Sequence, residues 1–206
     1  MIRPKEKKER ALGIKLFLKG DRCNSPKCAM TRKPYKPGIH GKSRRRGALS
    51  EYGQQLLEKQ KIKASYGLTE AQLRNLFENA SGPKESSMNK SVVNLLERRL
   101  DNVVFRLSFA PSRIAARQRV SHGHFLVNDK RASTPSYILK AGDVISLNPA
   151  SRELLIFKDL PNIIKKYEPP QWLSLDKDKL EGKVKSLSFE VEAPFDVNLV
   201  VDYYSR

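Results

Sequence analysis

The chain has 206 residues and an uneven charge balance, in which 40 lysines and arginines oppose 22 aspartates and glutamates to give a net charge of +18. Hydrophobic residues make up 39% of the sequence, which is enough to build a folded core without disulfides. No run approaches the ~18 consecutive apolar residues that a membrane span requires, and two cysteines cannot form a disulfide framework. We therefore expect a folded protein of a reducing compartment, the cytoplasm or an organelle matrix, with an acidic partner.

The positive charge is concentrated towards the N-terminus. The net charge by segment is +14 for residues 1–63, zero for residues 64–92, +5 for residues 93–150 and −1 for residues 151–206. The basic segment also contains Phe17, Tyr35 and His40, and it includes an arginine run at residues 44–46. Flat side chains among cations suit unpaired bases and phosphates, which favours RNA as the partner. A solvated basic tail would have a similar composition and is the alternative.

Two helices are predicted after the arginine run. The first spans about residues 50–62, with Ser50 as its N-terminal cap, and Gly67 ends it. Thr69 and Gln72 form a capping box for the second helix, whose apolar residues share one face. A polar stretch rich in serine, glycine and proline follows and is typical of a linker.

The remainder of the chain predicts two helices and then a change to the period-two pattern of strands. The predicted helices cover residues 91–107 and 113–122, the latter closed by Gly123, and the predicted strands cover residues 124–128, 144–147 and 197–201. Asn128 and Asp129 suit a tight turn after the first strand. Helices followed by a small sheet indicate a compact α+β unit.

A second cluster of candidate RNA contacts lies in the fourth helix and the corner after it. Arg113 and Arg117 are one helical turn apart, and His122 and His124 flank a glycine that lets a backbone approach closely. Three cations on a short helix, these two arginines and Arg119, are also compatible with a solvated face. A metal site is disfavoured because the two histidines have no third ligand nearby.

These residues are similar to the small RNA-binding module named after ribosomal protein S4. The similar segments are LDNVVFRL at 100–107, SRIAARQ at 112–118, VSHGH at 120–124, VN at 127–128, PSY at 135–137 and KAGD at 140–143. Because this module also occurs in RNA-modifying enzymes, an enzyme or another RNA-binding factor with the same module is the alternative function. Residues 151–206 are too short for a further catalytic domain, and the apolar insertion face of a peripheral membrane protein is missing.

The rest of the chain resembles the bacterial-type ribosomal protein S4 family. The resemblance rests on PGIHG at 37–41, LSEYG at 49–53, EKQK at 58–61, YG at 66–67, QLRN at 72–75, WLSLD at 172–176 and VDYYSR at 201–206. It implies an α+β fold in which a helical domain, built from residues 49–92 and 159–206, holds an inserted RNA-binding domain at residues 93–158. Residues 1–48 are expected to form a basic N-terminal arm.

The resemblance also implies the function and the partners. It predicts a structural protein of the small ribosomal subunit, not an enzyme, that binds 16S-type ribosomal RNA at a junction of the 5′ domain. It predicts that the protein nucleates assembly of the subunit body and contributes to translational accuracy. The implied neighbours are ribosomal protein S5, other small-subunit proteins and messenger RNA near its entrance, with no membrane.

The predicted RNA contacts are basic side chains from both patches and from the first predicted helix. They are Arg44, Arg45, Arg46, Lys59, Lys61, Lys63, Arg113, Arg117, His122 and His124. No cofactor is expected. Zinc-bearing members of the family carry two cysteine pairs, whereas here Glu6 and Glu9 take the places of one pair beside Cys23 and Cys28. Because a mixed site of two carboxylates and two thiolates is uncommon for structural zinc, the cysteines are weak zinc candidates.

Overall fold

A computed structural model describes residues 5–43, 48–80, 88–187 and 195–205. The chain divides into two compact units, Met1–Val92 with Glu192–Arg206, and Val93–Val191. Helices and an antiparallel sheet are both present, so the expected α+β class is confirmed. None of the helices in the described ranges has the length and apolarity that crossing a membrane demands.

The described elements follow one another as listed here in chain order. The helices are α1 (Lys5–Leu12), α2 (Ala29–Arg32), α3 (Glu51–Ser65), α4 (Glu70–Ala80), α5 (Met88–Glu97), α6 (Leu100–Arg106), α7 (Arg113–Ser121), α8 (Leu160–Lys165) and α9 (Val197–Tyr204). The strands are β1 (Phe125–Val127), β2 (Lys130–Ala132), β3 (Val144–Leu147), β4 (Leu173–Asp176) and β5 (Glu181–Val184). Short 3-10 turns occur at Gly20–Asn24, Ile39–Lys42, Pro149–Ser151 and Leu155–Phe157.

The helix starts that the sequence predicts are confirmed by their caps. The Ser50 hydroxyl accepts a hydrogen bond from the Gly53 amide at the start of α3. At α4, the Thr69 hydroxyl accepts from the Gln72 amide, and the Gln72 side chain accepts from the Thr69 amide. Each cap satisfies amides that have no partner within the helix, and such caps typically stabilise a helix by about 1 kcal/mol.

The single helix predicted for residues 91–107 is wrong, because it breaks into α5 and α6. Arg99 has an extended backbone and forms an antiparallel bridge with Ile138. Its neighbours bond the same segment, with Leu100 donating to the Tyr137 carbonyl and Leu139 donating to the Arg98 carbonyl. These tertiary hydrogen bonds replace helical ones without interrupting the apolar spacing, which is why periodicity alone predicts one continuous helix.

The strand predicted for residues 197–201 is also wrong, because α9 occupies this segment. Asp196 caps the helix by accepting a hydrogen bond from the Asn198 amide. The helix packs against α3 and α4, and Val200 is fully buried. Burial of one helical face therefore outweighs the strand preference of three valines in a five-residue run.

The second unit is built around an antiparallel sheet. Its described strands have the order β2-β1-β3-β5-β4, and β1 and β2 are joined by Asn128 and Asp129, both with positive φ. This geometry is that of the predicted two-residue hairpin turn, which is confirmed. The core contains α6, α7 and the sheet, and Gly182 is required because a Cβ there would collide with the Leu107 side chain.

The boundaries of the two units differ from those of the segments expected from the sequence. Residues 159–187 lie in the second unit, because β5 pairs with β3 and β4 pairs with β5. The sequence signals for β4 and β5 are short and polar, so the pairing of β5 with β3, which lies some 40 residues earlier, is not apparent from local pattern. The boundary between the units falls within α5.

Candidate nucleic-acid interface

The basic segment at residues 5–43 is folded around Tyr35. The Arg10 side chain donates hydrogen bonds to the carbonyls of Lys33 and Tyr35 at 3.0 Å each and lies 4.8 Å from the Tyr35 ring centroid. Lys42 approaches the same ring, with Nζ at 5.2 Å from its centroid. These cation–π contacts hold α1 and the loop before residue 43 together, so the segment presents its charge on a defined surface.

Glu9 fixes the loop that follows α1. Its side chain is fully buried, and Oε1 accepts hydrogen bonds from the amides of Leu16 and Leu18 at 3.0 and 3.2 Å. Leu16 and Leu18 are themselves buried. A charged acceptor for two buried amides is a strong local restraint, because those amides would otherwise be unsatisfied.

The residues around this carboxylate do not fit a structural zinc ion. Glu6 accepts a hydrogen bond from Arg22 Nε at 2.8 Å, while Cys23 and Cys28 are buried free thiols. Burial raises the pKa of the Cys23 thiol. Glu9 Oε2 has no hydrogen-bond partner, yet within the described ranges no three His, Cys, Asp or Glu side chains are grouped to share a metal. Structural zinc is ordinarily held by Cys and His alone, and a set in which two of the four ligands are carboxylates, one of them bonded to Arg22, is a poor fit to it.

The arginine run at residues 44–46 lies outside the described residues. The three lysines predicted from α3 are placed in ion pairs. Lys59 Nζ and Lys63 Nζ lie 2.8 and 2.9 Å from the carboxylate oxygens of Glu70, and Lys61 pairs with Glu58. Of the three, Lys59 is buried, and its ammonium lies 4.1 Å from the Tyr203 ring centroid.

The pKa values of Glu70 and Lys59 are shifted by this packing. Burial by itself raises the pKa of the Glu70 carboxyl, but hydrogen bonds and charge from Lys59 and Lys63 outweigh it and lower the pKa to about 2. Burial likewise acts to lower the pKa of Lys59, and its bonds to Glu70 and Tyr203 raise it overall. The ammonium of Lys59 is therefore enclosed by Glu70 and Tyr203 and faces the protein and not the solvent.

The four residues predicted from the fourth helix are placed on α7 and at its C-terminal corner. Arg113 Nε donates to Asn102 Oδ1 at 2.7 Å, and Arg117 lies 3.9 Å from the Asp101 carboxylate. His122 is exposed, and its ring centroid lies 5.8 Å from that of His124. The structure thus places the two arginines beside acidic groups and the two histidines beside each other.

His124 is half-buried and has contacts of its own. Its Nδ1 lies 2.9 Å from the Ser151 hydroxyl, and its ring meets Phe157 edge-on. Burial lowers the pKa of His124, and the positive charges of His122, Arg119 and Arg131 lower it further. A neutral ring at this corner can accept or donate a hydrogen bond, but it adds no charge near pH 7.

Two cations at the same corner were missed by sequence reasoning. Lys130 and Arg131 are exposed on β2, and Arg131 donates to the His122 carbonyl at 3.2 Å. Gly123 has a positive φ, and a Cβ there would collide with the Arg131 guanidinium. The available signal was the position of these two residues directly after the tight turn, on an edge strand. Together with His122 they form an exposed basic corner on the second unit.

Family comparisons cover most of the chain. A family model described as the ribosomal protein S4/S9 N-terminal domain matches residues 1–97, and a model described as the S4 domain matches residues 98–145. The chain is 47% identical over 196 residues to a protein of Caldicellulosiruptor bescii, covering 94% of this chain and 93% of the relative. It is 45% identical to a protein of Pelotomaculum thermopropionicum over the same shares. A protein of Syntrophobacter fumaroxidans is 46% identical over 94% of the chain and 92% of its own length.

All three relatives carry the same name, small ribosomal subunit protein uS4. The matches extend over both units, including the arm and the α7 corner, rather than over the small RNA-binding module alone. That distinction matters because an RNA-modifying enzyme would share the module and differ elsewhere.

Proposed function

Because the chain belongs to the ribosomal protein S4 family, we propose that it is a structural constituent of the small ribosomal subunit, which binds 16S-type ribosomal RNA and catalyses no reaction. One observation carries the proposal, namely that relatives named small ribosomal subunit protein align over 94% of the chain. The place of action is then the ribosome, in the cytoplasm of a bacterial cell.

The charged surfaces support an RNA partner. From Arg22 to Ser50 inclusive the sequence has nine lysines and arginines and no acidic residue. Such a segment repels itself and releases counterions when it meets a phosphate backbone, which favours binding to a polyanion. The folding around Tyr35 gives residues 5–43 a defined shape, and shape is how proteins recognise folded RNA when bases are paired.

The residues proposed to contact RNA form two surfaces. On the arm they are Arg44, Arg45 and Arg46, and on the second unit they are Arg113, Arg117, His122 and His124, to which the geometry adds Lys130 and Arg131. Lys61 and Lys63 are retained as backbone contacts on the basis of their partial exposure. Lys59 is proposed instead to support α3, since its ammonium is enclosed.

The finer assignments come from the resemblance. We propose that the RNA partner is a junction in the 5′ domain, that binding there nucleates assembly of the subunit body, and that ribosomal protein S5 and messenger RNA are neighbours. A contribution to translational accuracy would follow from that position. The division into an arm, a helical domain and an inserted RNA-binding domain also remains a proposal, with residues 159–187 now grouped with the RNA-binding part.

The experiment that tests the proposal is sedimentation of the tagged full-length protein through a sucrose gradient of bacterial lysate. We expect the protein to migrate with the small-subunit peak and to move to the top of the gradient after ribonuclease treatment. Migration at the top without ribonuclease, together with modified nucleotides in RNA incubated with the protein, would instead identify an RNA-modifying enzyme.

A further inference from the structure

Phe17 lies in the loop after α1, in a backbone conformation that bulky residues rarely adopt. Its φ is 55°, in the left-handed region, where the Cβ of an ordinary side chain crowds the backbone. Within the described ranges Leu180 is the other large apolar residue with a positive φ, and it packs against the core of the second unit. The Phe17 side chain is instead 45% exposed, so burial does not explain why a phenylalanine occupies a strained position.

The residues on either side of Phe17 hold it in this conformation. The amides of Leu16 and Leu18 donate to Glu9 Oε1 at 3.0 and 3.2 Å, and both leucine side chains are buried. The Phe17 carbonyl accepts a hydrogen bond from the Gly20 amide at 3.1 Å. Because these contacts fix the backbone before and after it, the residue loses little conformational entropy when its ring binds a partner.

Two lysines accompany the ring. Lys15, Phe17 and Lys19 are exposed, and they alternate with the buried leucines between them. Lys15 Nζ lies 5.0 Å from the Phe17 ring centroid, within the range of a cation–π contact. Residues 15–19 include no acidic side chain. An exposed aromatic ring between two cations complements a flat group with a negative charge on each side, which is the chemistry of an unpaired nucleotide in a strand.

We propose that Phe17 is a stacking platform for an unpaired base of RNA, and that Lys15 and Lys19 contact the phosphates on either side of that base. The inference rests on the proposed function and adds an aromatic contact to the basic ones named there. Every base has a π face, so the site requires an unpaired nucleotide but no particular base. A stacked base would also cover apolar surface that the fold leaves in water.

Substitutions at Phe17 separate the aromatic face from the apolar bulk. Phe17→Leu keeps an apolar side chain and the net charge but removes the π face. We expect it to bind small-subunit RNA roughly five- to hundredfold more weakly, with an unchanged log–log slope of affinity against salt, because stacking neutralises no phosphate. Phe17→Tyr retains a ring and should bind within about twofold of the unaltered protein.

Substitution of the two lysines should have the complementary effect. The double variant Lys15→Gln with Lys19→Gln retains the ring and loses two positive charges. We expect its salt slope to become shallower by about one to two, because the slope changes by about 0.7–0.9 for each phosphate that is neutralised. An unchanged slope would overturn the proposed phosphate contacts.

Three controls accompany these measurements, all of them made on the full chain in the same buffer. Tyr137→Leu removes a side chain of nearly equal exposure, 44%, from the second unit and should leave affinity unchanged. A fully paired RNA duplex offers no unstacked base, so Phe17→Leu should bind it as the unaltered protein does. Hydrogen exchange of the Leu16 and Leu18 amides checks that the loop keeps its structure in each variant.

Weaker binding of small-subunit RNA by Phe17→Leu, with unchanged binding by Phe17→Tyr and Tyr137→Leu, supports the proposal. Unchanged affinity of Phe17→Leu overturns it and would assign the exposed ring to a protein neighbour instead. Equal losses for the paired duplex, or for Tyr137→Leu, also overturn it, since the effect would then not depend on an unpaired base at this residue.

A second variant applies if Phe17→Leu speeds the exchange of the loop amides. Phe17→Trp keeps an aromatic ring, and its fluorescence should be quenched when small-subunit RNA binds, because a stacked base quenches an indole. The unaltered protein is the reference, since its single tryptophan, Trp172, is buried in the second unit. Binding without additional quenching would overturn the proposal, whereas failure of the unaltered protein to bind the RNA would count against the proposed function.

Discussion

The two units carry their positive charge in different ways. In the first, the sequence from Arg22 to Ser50 contains nine cations and no acidic residue, and residues 5–43 are shaped by contacts to Tyr35 and by the buried Glu9. In the second, the arginines of α6 and α7 are arranged around buried carboxylates. The first arrangement concentrates charge, and the second fixes the direction of each guanidinium. A protein that must hold folded RNA benefits from both, because charge supplies affinity and fixed geometry supplies shape recognition.

The largest effect that the comparison predicts is a steep dependence of RNA binding on salt. If the arm and the RNA-contact surface proposed on the second unit together neutralise about six to ten phosphates, affinity should fall by roughly 10³ to 10⁵ between 50 and 200 mM salt. Filter binding or fluorescence titration with small-subunit RNA at a series of salt concentrations measures the slope. A slope near zero would contradict the proposal that the positive charge of both units contributes to RNA affinity.

The next largest effect concerns how the arm keeps its shape. Glu9→Ala leaves the buried amides of Leu16 and Leu18 without their acceptor, at a cost of about 1–3 kcal/mol for each unpaired group. For the two amides together, we expect local opening of residues 5–43 to become easier by about 2–6 kcal/mol, seen as faster hydrogen exchange of both amides. Since the donor set does not fit zinc, a chelator should leave the exchange rates of the unaltered protein unchanged.

Glu6→Ala is the matched control, because Glu6 lies one turn earlier on α1 and pairs with a half-exposed Arg22. Its loss should cost less than about 1 kcal/mol. Equal effects of the two substitutions, or opening of the arm by the chelator, would contradict the conclusion that Glu9 holds the loop after α1 in place.

The sequence predicts the structure well where neighbouring residues decide it and poorly where distant contacts decide it. Local signals were sufficient for the caps at Ser50 and Thr69 and for the Asn128–Asp129 turn, because each depends on residues within three positions of one another. They failed where distant contacts decide, as in the break at Arg99 and the helical state of residues 197–204.

The candidate site follows the same rule. The α7 arginines and the corner histidines were found because helical spacing brings Arg113 and Arg117 to one side. Their pairing with Glu97 and Asp101 was not found, because it depends on the break between α5 and α6 that periodicity conceals. The burial of Lys59 was missed for a related reason, since its surroundings come from the C-terminal tyrosines.

A smaller effect tests whether the arginine run contributes to RNA affinity beyond its contribution to net charge. Replacing Arg44, Arg45 and Arg46 together by alanine should weaken RNA binding roughly ten- to hundredfold, because exposed ionic contacts are worth about 0.5–1 kcal/mol each. The melting temperature should change little. The triple replacement of Lys179, Lys183 and Lys185, which are exposed on the second unit, makes the same change of charge and should affect binding less. Equal losses would mean that net charge, and not the arm, determines affinity, whereas loss of folding in the arginine variant would give the run a structural role.

The smallest effect tests whether the α3 lysines support their helix or contact RNA. Lys59 and Lys63 hold the pKa of Glu70 at about 2, below its ordinary value of 4.5, so the ionised carboxylate is favoured in the folded protein. The stability that this contributes is fully present above pH 4.5 and is lost as the pH falls from 4.5 towards 2. Because the Glu70 side chain is 47% exposed, we expect less than about 1 kcal/mol. Glu70→Gln should therefore flatten the pH dependence of the unfolding free energy within that window, measured by urea titration.

Glu78→Gln provides the comparison, since Glu78 lies on the same helix and pairs with Arg74 at 3.2 Å on the surface. RNA affinity measured on the same two variants decides the role of the lysines. If they act as supports for α3, Glu70→Gln should change acid stability and leave affinity within about twofold, as expected for surface charges worth under 0.5 kcal/mol. A marked gain in affinity would mean that Lys59 and Lys63, once released from Glu70, contact RNA, and α3 would then belong to the RNA-binding surface of the first unit.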